Sequence, residues 1–173
     1  AVDYSGMNAQ AVEMLDDAIF NVPVYEEGPL AGIEFNLASV VVNINKKNTS
    51  DILGEECITI AGSPTILEEV GDLSFEISPL SFYQVNPEGT ELLYKRARDY
   101  AGLTGGEVLL DLYCGAGTIG LSMAKNAKTV IGVEIVPEAI EDAKINAELN
   151  GISNARFICS DAAEAAETLK NEG

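Results

Sequence analysis

Within this 173-residue chain, a carboxylate, an aromatic ring, a thiol and three spaced glycines fall in one short stretch. Residues 108–120 read Val-Leu-Leu-Asp-Leu-Tyr-Cys-Gly-Ala-Gly-Thr-Ile-Gly. The apolar run leads to Asp111, passes Tyr113 and Cys114, and breaks into Gly115, Gly117 and Gly120. Its length and branching predict a buried parallel strand. The glycines would then supply a tight turn, room for a ligand beside the backbone, and close helix–strand packing. That is the layout of a nucleotide-type cofactor site at the carboxyl end of a strand.

Two cofactor classes share this geometry. A dinucleotide sets its pyrophosphate on the helix N-terminus, whereas S-adenosylmethionine sets its methionine part against the glycine turn. Glu134 lies near the spacing expected of an acid that holds ribose, because a carboxylate can accept both hydrogen bonds of a cis-diol. Asp111 favours the methyl donor, since a carboxylate ahead of the glycines repels pyrophosphate and attracts an ammonium. Asp161, after a third apolar run, could accept from an adenine amino group. It could equally cap the helix expected to follow it.

The elements that must position these residues are legible in outline. An amphipathic pattern predicts a helix over 8–20, followed by a loop over 23–32. Strands are expected at 38–44, 56–61 and 72–77, separated by turn residues. Phe75 and its neighbours alternate with polar residues, as in a half-buried antiparallel strand. After Pro87 a helix is expected through Tyr100, with Leu92, Leu93, Ala97 and Tyr100 as its apolar face and Gly102 near its end. Strand and helix then alternate: 107–113, 117–126, 129–135, 137–149, 155–159, and a helix from 161. Pro137 suits a first helical turn and Gly151 a helix stop. Such alternation predicts right-handed crossovers and a parallel α/β sheet. The expected organisation is a small α+β domain over 1–80 and a Rossmann-like cofactor domain over 81–173, with the boundary near 78–86. Three strands leave one flank of the first unpaired, which marks the chain as part of a larger sheet and invites self-association.

Composition narrows the class. The chain is 47% hydrophobic with a formal charge of −18. Residues 1–78 hold 14 acidic and 2 basic side chains (net −12), and 79–173 hold 14 and 8 (net −6). So acidic a surface does not read as an autonomous nucleic-acid module. No apolar run approaches membrane-span length. Cys57, Cys114 and Cys159 lack metal spacing and read as reduced, cytoplasmic thiols. Cys57 and Cys159 are expected in strand cores. Cys114 is not expected to be a nucleophile, because no histidine or cation lies near it in sequence.

Residues from about 38 to 166 resemble the RNA uracil-5 methyltransferases, a class I S-adenosylmethionine-dependent family. The resemblance rests on Val41-Val-Asn-Ile-Asn, on Ile52-Leu-Gly, on Gly71-Asp-Leu-Ser-Phe-Glu-Ile-Ser-Pro-Leu-Ser-Phe-Tyr-Gln-Val-Asn-Pro, on Asp111-Leu-Tyr-Cys-Gly-Ala-Gly, and on Gly132-Val-Glu-Ile-Val-Pro. The Phe-Tyr-Gln-Val-Asn element joined to the glycine motif is the most specific part. The resemblance implies that Gln84, Tyr113 and Glu134 contact S-adenosylmethionine; the reading of the residues adds Asp111, Gly115, Gly117 and Asp161 to the expected cofactor site. It also implies methyl transfer to C5 of uridine in rRNA or tRNA, after a cysteine thiolate adds to C6. The family places that cysteine beyond the adenine-contact strand, so the expectation is a fragment that holds cofactor and lacks the nucleophile. A methyltransferase acting on a non-RNA substrate and an NAD-dependent oxidoreductase are the competing readings.

Overall fold

The computed structural model describes residues 38–46, 53, 54 and 56–172. The helix expected at 8–20 and the loop at 23–32 lie outside the described residues. The chain divides into two compact units, Ala1–Pro64 and Thr65–Gly173.

In the first unit, β1 (Ser39–Ile44) pairs antiparallel with β2 (Glu56–Gly62), with a register shift between Val40 and Val41. Asn43 ties the connection between the strands. Its amide donates to the Gly54 carbonyl at 2.8 Å and accepts from the Gly54 amide at 2.7 Å. A Cβ at Gly54 would sit 2.0 Å from the Ile44 carbonyl oxygen, so no other residue fits there. Cys57 is half-buried rather than in a core.

The second unit opens with a hairpin, β3 (Ile66–Val70) and β4 (Leu73–Ile77), turned at Gly71 with φ 62°. Leu73, Phe75 and Ile77 are buried and alternate with half-buried Ser74 and Glu76, as the pattern predicts. The sequence pattern does not reveal β3. Ile66 and Leu67 are both exposed, and Glu68-Glu69 breaks any period of two.

Helix α1 (Pro87–Ala101) starts at Asn86, whose side chain accepts from the Gly89 amide at 2.9 Å, and stops at left-handed Gly102. Both ends match the capping signals. Its buried face does not match the expected one. Thr90 and Tyr94 are buried, while Leu92, Leu93 and Tyr100 are 61%, 49% and 85% exposed. The reason is polar: the Tyr94 hydroxyl bonds the Thr118 hydroxyl at 2.6 Å in the interior, which sets the helix's rotation.

The alternating half follows as a parallel sheet ordered β5 (Val108–Leu112), β6 (Thr129–Glu134), β7 (Ala155–Cys159). Helices α2 (Thr118–Met123), α3 (Pro137–Leu149) and α4 (Ala162–Glu172) follow successive strands, and a short 3-10 turn, Ala124–Asn126, extends α2. Among the described residues, β5 pairs on one side only. Cys159 is exposed, not in the core, because it ends its strand at the sheet's carboxyl rim. Among the described residues no helix is long and apolar enough to cross a membrane.

The second unit, Thr65–Gly173, holds both the hairpin and the parallel sheet. Phe75 and Ile77 share one core with Tyr94, Ala116, Leu121 and Ala147. Contacts that far apart in sequence leave no local mark.

Candidate cofactor site

Beyond β5 the chain must turn sharply across the neighbouring strand. Tyr113 adopts φ 68°, the only non-glycine with positive φ among the described residues. A side chain in that region costs on the order of 1–3 kcal/mol and persists where its surroundings hold it. Here the holding group is one carbonyl: the amides of Tyr113 and Cys114 both donate to Val133 O, at 2.7 and 2.9 Å. The strained turn leaves the Tyr113 ring exposed at the sheet's carboxyl rim.

The three glycines serve different ends. Gly115, at φ 53°, opens outward: a Cβ there would meet only Phe82 O, at 3.6 Å. Gly117, at φ 80°, faces inward, where a Cβ would press within 3.2 Å of Ala143, Leu121 and Phe157. Gly120 donates its amide to Asp111 Oδ2 at 2.9 Å. Room beside the backbone for a ligand therefore exists at Gly115, whereas Gly117 and Gly120 serve packing.

Glu134 ends β6 and is held from two sides. Its Oε2 accepts from the Gly115 amide at 3.2 Å; Oε1 accepts from Ile135 and Val136 at 2.8 and 3.0 Å. Each carboxylate oxygen offers about two lone-pair sites, so Oε2 retains accepting capacity.

A cavity of about 290 Å³ opens between this turn and the segment after β4. That is the small end of ligand clefts, which run roughly 300–1,000 Å³. Phe82, Tyr83 and Gln84 line one side, and Tyr113, Gly115 and Glu134 the other. Tyr94 and Thr118, already joined to each other, also line it. Sequence reasoning missed Phe82, Tyr83, Tyr94 and Thr118; for the first two, adjacency to Gln84 was the available signal.

Of the seven expected site residues, four line this cavity: Gln84, Tyr113, Gly115 and Glu134. The other three are not among its lining. Asp111 is turned to the Gly120 amide, and burial raises its carboxyl pKa against the opposing pull of that bond. Gly117 packs inward. Asp161 caps α4, its Oδ1 accepting from Ala163 and Glu164 at 2.9 and 3.0 Å.

Cys114 also lines the cavity, as a buried thiol. Burial first, then the charges of Asp111 and Glu134, pushes its pKa up to about 12. A group so rarely ionised is no nucleophile at neutral pH. What the cavity offers instead is recognition: a carboxylate for a diol, an open glycine backbone, and aromatic walls. The side-chain amide of Gln84 makes no hydrogen bond among the described residues, leaving both its donor and acceptor ends for a ligand.

A family model described as a methyltransferase domain matches residues 103–173. Uncharacterized RNA methyltransferases from Enterococcus faecalis and Caldanaerobacter subterraneus are 48% and 53% identical over 137 residues, which is 79% of this chain. The chain spans 30% of the length of each. Among solved structures, the Pyrococcus abyssi tRNA (uracil-54, C5)-methyltransferase in complex with S-adenosyl-L-homocysteine is 31% identical. It matches with a TM-score of 0.59 over 72% of this chain and 30% of its own. A second Pyrococcus abyssi protein, wild-type Trm5b, is 25% identical at a TM-score of 0.54, over 73% of this chain and 37% of that one.

Proposed function

The chain belongs to the RNA methyltransferase family that these relatives represent, and we propose that it forms the S-adenosylmethionine site of an enzyme methylating C5 of uridine in rRNA or tRNA. The observation carrying this reading is that Gln84, Tyr113, Gly115 and Glu134, distant in sequence, meet around one cavity. The cofactor, when bound, supplies an electrophilic methyl on sulfonium. The chain's own residues bind and orient it. Glu134 accepts from the ribose hydroxyls through Oε2, and Gly115 lets the backbone approach the methionine portion. Gln84 offers its amide, and Tyr113 closes the rim.

Asp161 stands two residues beyond the register partner of Glu134 on β7, which supports a contact between its second oxygen and the adenine amino group. Asp111 acts behind the turn by anchoring Gly120, and Gly117 by allowing α3 to pack close. We assign no catalytic residue within the chain, since the Cys114 thiol is held protonated. The chain alone is therefore proposed to bind cofactor without turnover, in the cytoplasm, with RNA as substrate of the whole enzyme. The flank of β5 that is unpaired among the described residues supports self-association of the isolated chain.

Calorimetry with S-adenosylhomocysteine tests the site. The whole protein should bind, and Glu134→Ala should weaken binding by about tenfold or more, the order expected when a ligand's charge-assisted hydrogen bonds are lost. NADH binding without S-adenosylhomocysteine binding would overturn the reading. Transfer of labelled methyl to RNA by the chain alone would overturn its inactivity.

A further inference from the structure

Helix α3 meets strand β4 through a ladder of side-chain amides and carboxylate. Asp142, Asn146 and, at the helix end, Asn150 recur every four residues and so form one stripe. They face Ser78, Glu76 and Ser74, which recur every two residues along β4 and just past it. The two rises agree: about 6 Å for four helical residues and about 6.8 Å for two strand residues. Asn150 exchanges hydrogen bonds with Ser74 at 2.7 and 3.0 Å. Asn146 exchanges them with Glu76 at 3.0 and 2.6 Å. Each asparagine thus completes a strand's backbone pairing as a neighbouring strand would.

The third rung is chemically different. The Ser78 carbonyl is taken by the Ser81 amide at 3.1 Å, which closes a turn. The Ser78 and Ser81 hydroxyls meet at 3.2 Å, and the Ser78 amide and the Ser81 hydroxyl both donate to Asp142 Oδ2, at 2.8 and 2.6 Å. Both bonds end on one side-chain oxygen, so this rung uses only an acceptor, whereas the asparagines of the other two rungs donate as well as accept. Directly after Ser81 come Phe82, Tyr83 and Gln84, one wall of the cavity. Asn146 meanwhile spends its second amide hydrogen on Ala116 O at 3.0 Å, inside the glycine turn that forms the other wall.

We propose that Asp142 is a positioning residue for the cofactor site. Through Ser78 and Ser81 it sets the Phe82–Gln84 wall at a fixed distance from the glycine turn that Asn146 holds on the same helix. This rests on the reading that the cavity takes S-adenosylmethionine, and it extends the site to a residue that touches no ligand.

The test compares the two ends of the ladder in the whole protein. Asp142→Ala and Ser81→Ala should each weaken S-adenosylhomocysteine by roughly tenfold, as loss of a buried acceptor or its donor would. Asp142→Asn keeps an accepting oxygen and should recover most of the affinity. Asn150→Ala removes the rung remote from the cavity; it should lower the melting temperature while leaving affinity within about twofold. Amide hydrogen exchange without ligand supplies the second readout. Asp142→Ala should speed exchange at Ser78 and Ser81, and Asn150→Ala should not. Equal affinity losses in Asp142→Ala and Asn150→Ala, or equal exchange at Ser81 in both, overturns the proposal. Absence of binding by the unaltered protein would instead defeat the cofactor reading, and exchange would still decide the positioning role.

Discussion

Single residues in this chain take their properties from burial more than from type. Three cysteines of identical chemistry end as a half-buried, a buried and an exposed thiol. Cys114 has a pKa of about 12, so only about one thiol in ten thousand is ionised at pH 8. Iodoacetamide at that pH should label Cys159 in the folded protein and spare Cys114, read by mass spectrometry of tryptic peptides. Comparable labelling of the two would show that the glycine turn opens readily. Spacing alone singled out Glu134 and Gly115, which line one cavity. It could not separate Gly115 from Gly117, because which glycine faces out depends on Ala143 and Phe157, which lie 26 and 40 positions beyond Gly117 in the sequence.

At the scale of elements, helix ends were legible and helix faces were not. Asn86, Pro87 and Gly102 bound α1 through interactions among near neighbours, so their signals are local. Its rotation follows the Tyr94–Thr118 bond, a contact 24 residues long in sequence. The connection into β5 carries a sharper local device. Glu107 accepts from the Thr104 hydroxyl at 2.6 Å and from the amides of Thr104, Gly105 and Gly106. The Thr104 hydroxyl foremost, then the amides, hold its pKa down to about 2 from 4.5. A lowered carboxylate pKa stabilises the fold above the unfolded value, and that contribution fades as pH falls toward the folded one. The advantage of the unaltered protein over Glu107→Gln in urea melts should therefore be full above pH 4.5 and shrink toward pH 2. A difference constant across that range would mean that the carboxylate does not hold this turn.

For the whole molecule, charge and exposed apolar surface dominate. A formal charge of −18 is poorly matched to an RNA backbone, and binding of phosphates requires cations to replace condensed counterions. In a gel-shift assay at about 0.15 M salt, the isolated chain should not retard transfer RNA, whereas on the proposed function a full-length protein should retard its RNA substrate. Tight binding by the chain alone would place the RNA contacts here. The exposed Leu92, Leu93 and Tyr100 on α1, together with Val108, Leu110 and Leu112 on β5, also belong to this scale. These large apolar side chains are left uncovered in a chain spanning 30% of its relatives' length.

The amino-acid order by itself determined the α/β class, the parallel half-sheet, the helix caps and the glycine turn with its acid one strand away. Each depends on periodicity or on residues within a few positions of one another, where steric and hydrogen-bonding rules act locally. Only the tertiary structure decided that Ile66–Val70 is a strand, that the hairpin shares a core with the residues around the parallel sheet, and that α1 buries Tyr94. It alone decided that Asp142, Asn146 and Asn150 complete the edge of β4. The strand Ile66–Val70 is fixed by its hairpin partner Leu73–Ile77, since its own residues carry no alternation; the other outcomes rest on bonds spanning from 24 to 76 residues, made between groups whose partners no local pattern specifies.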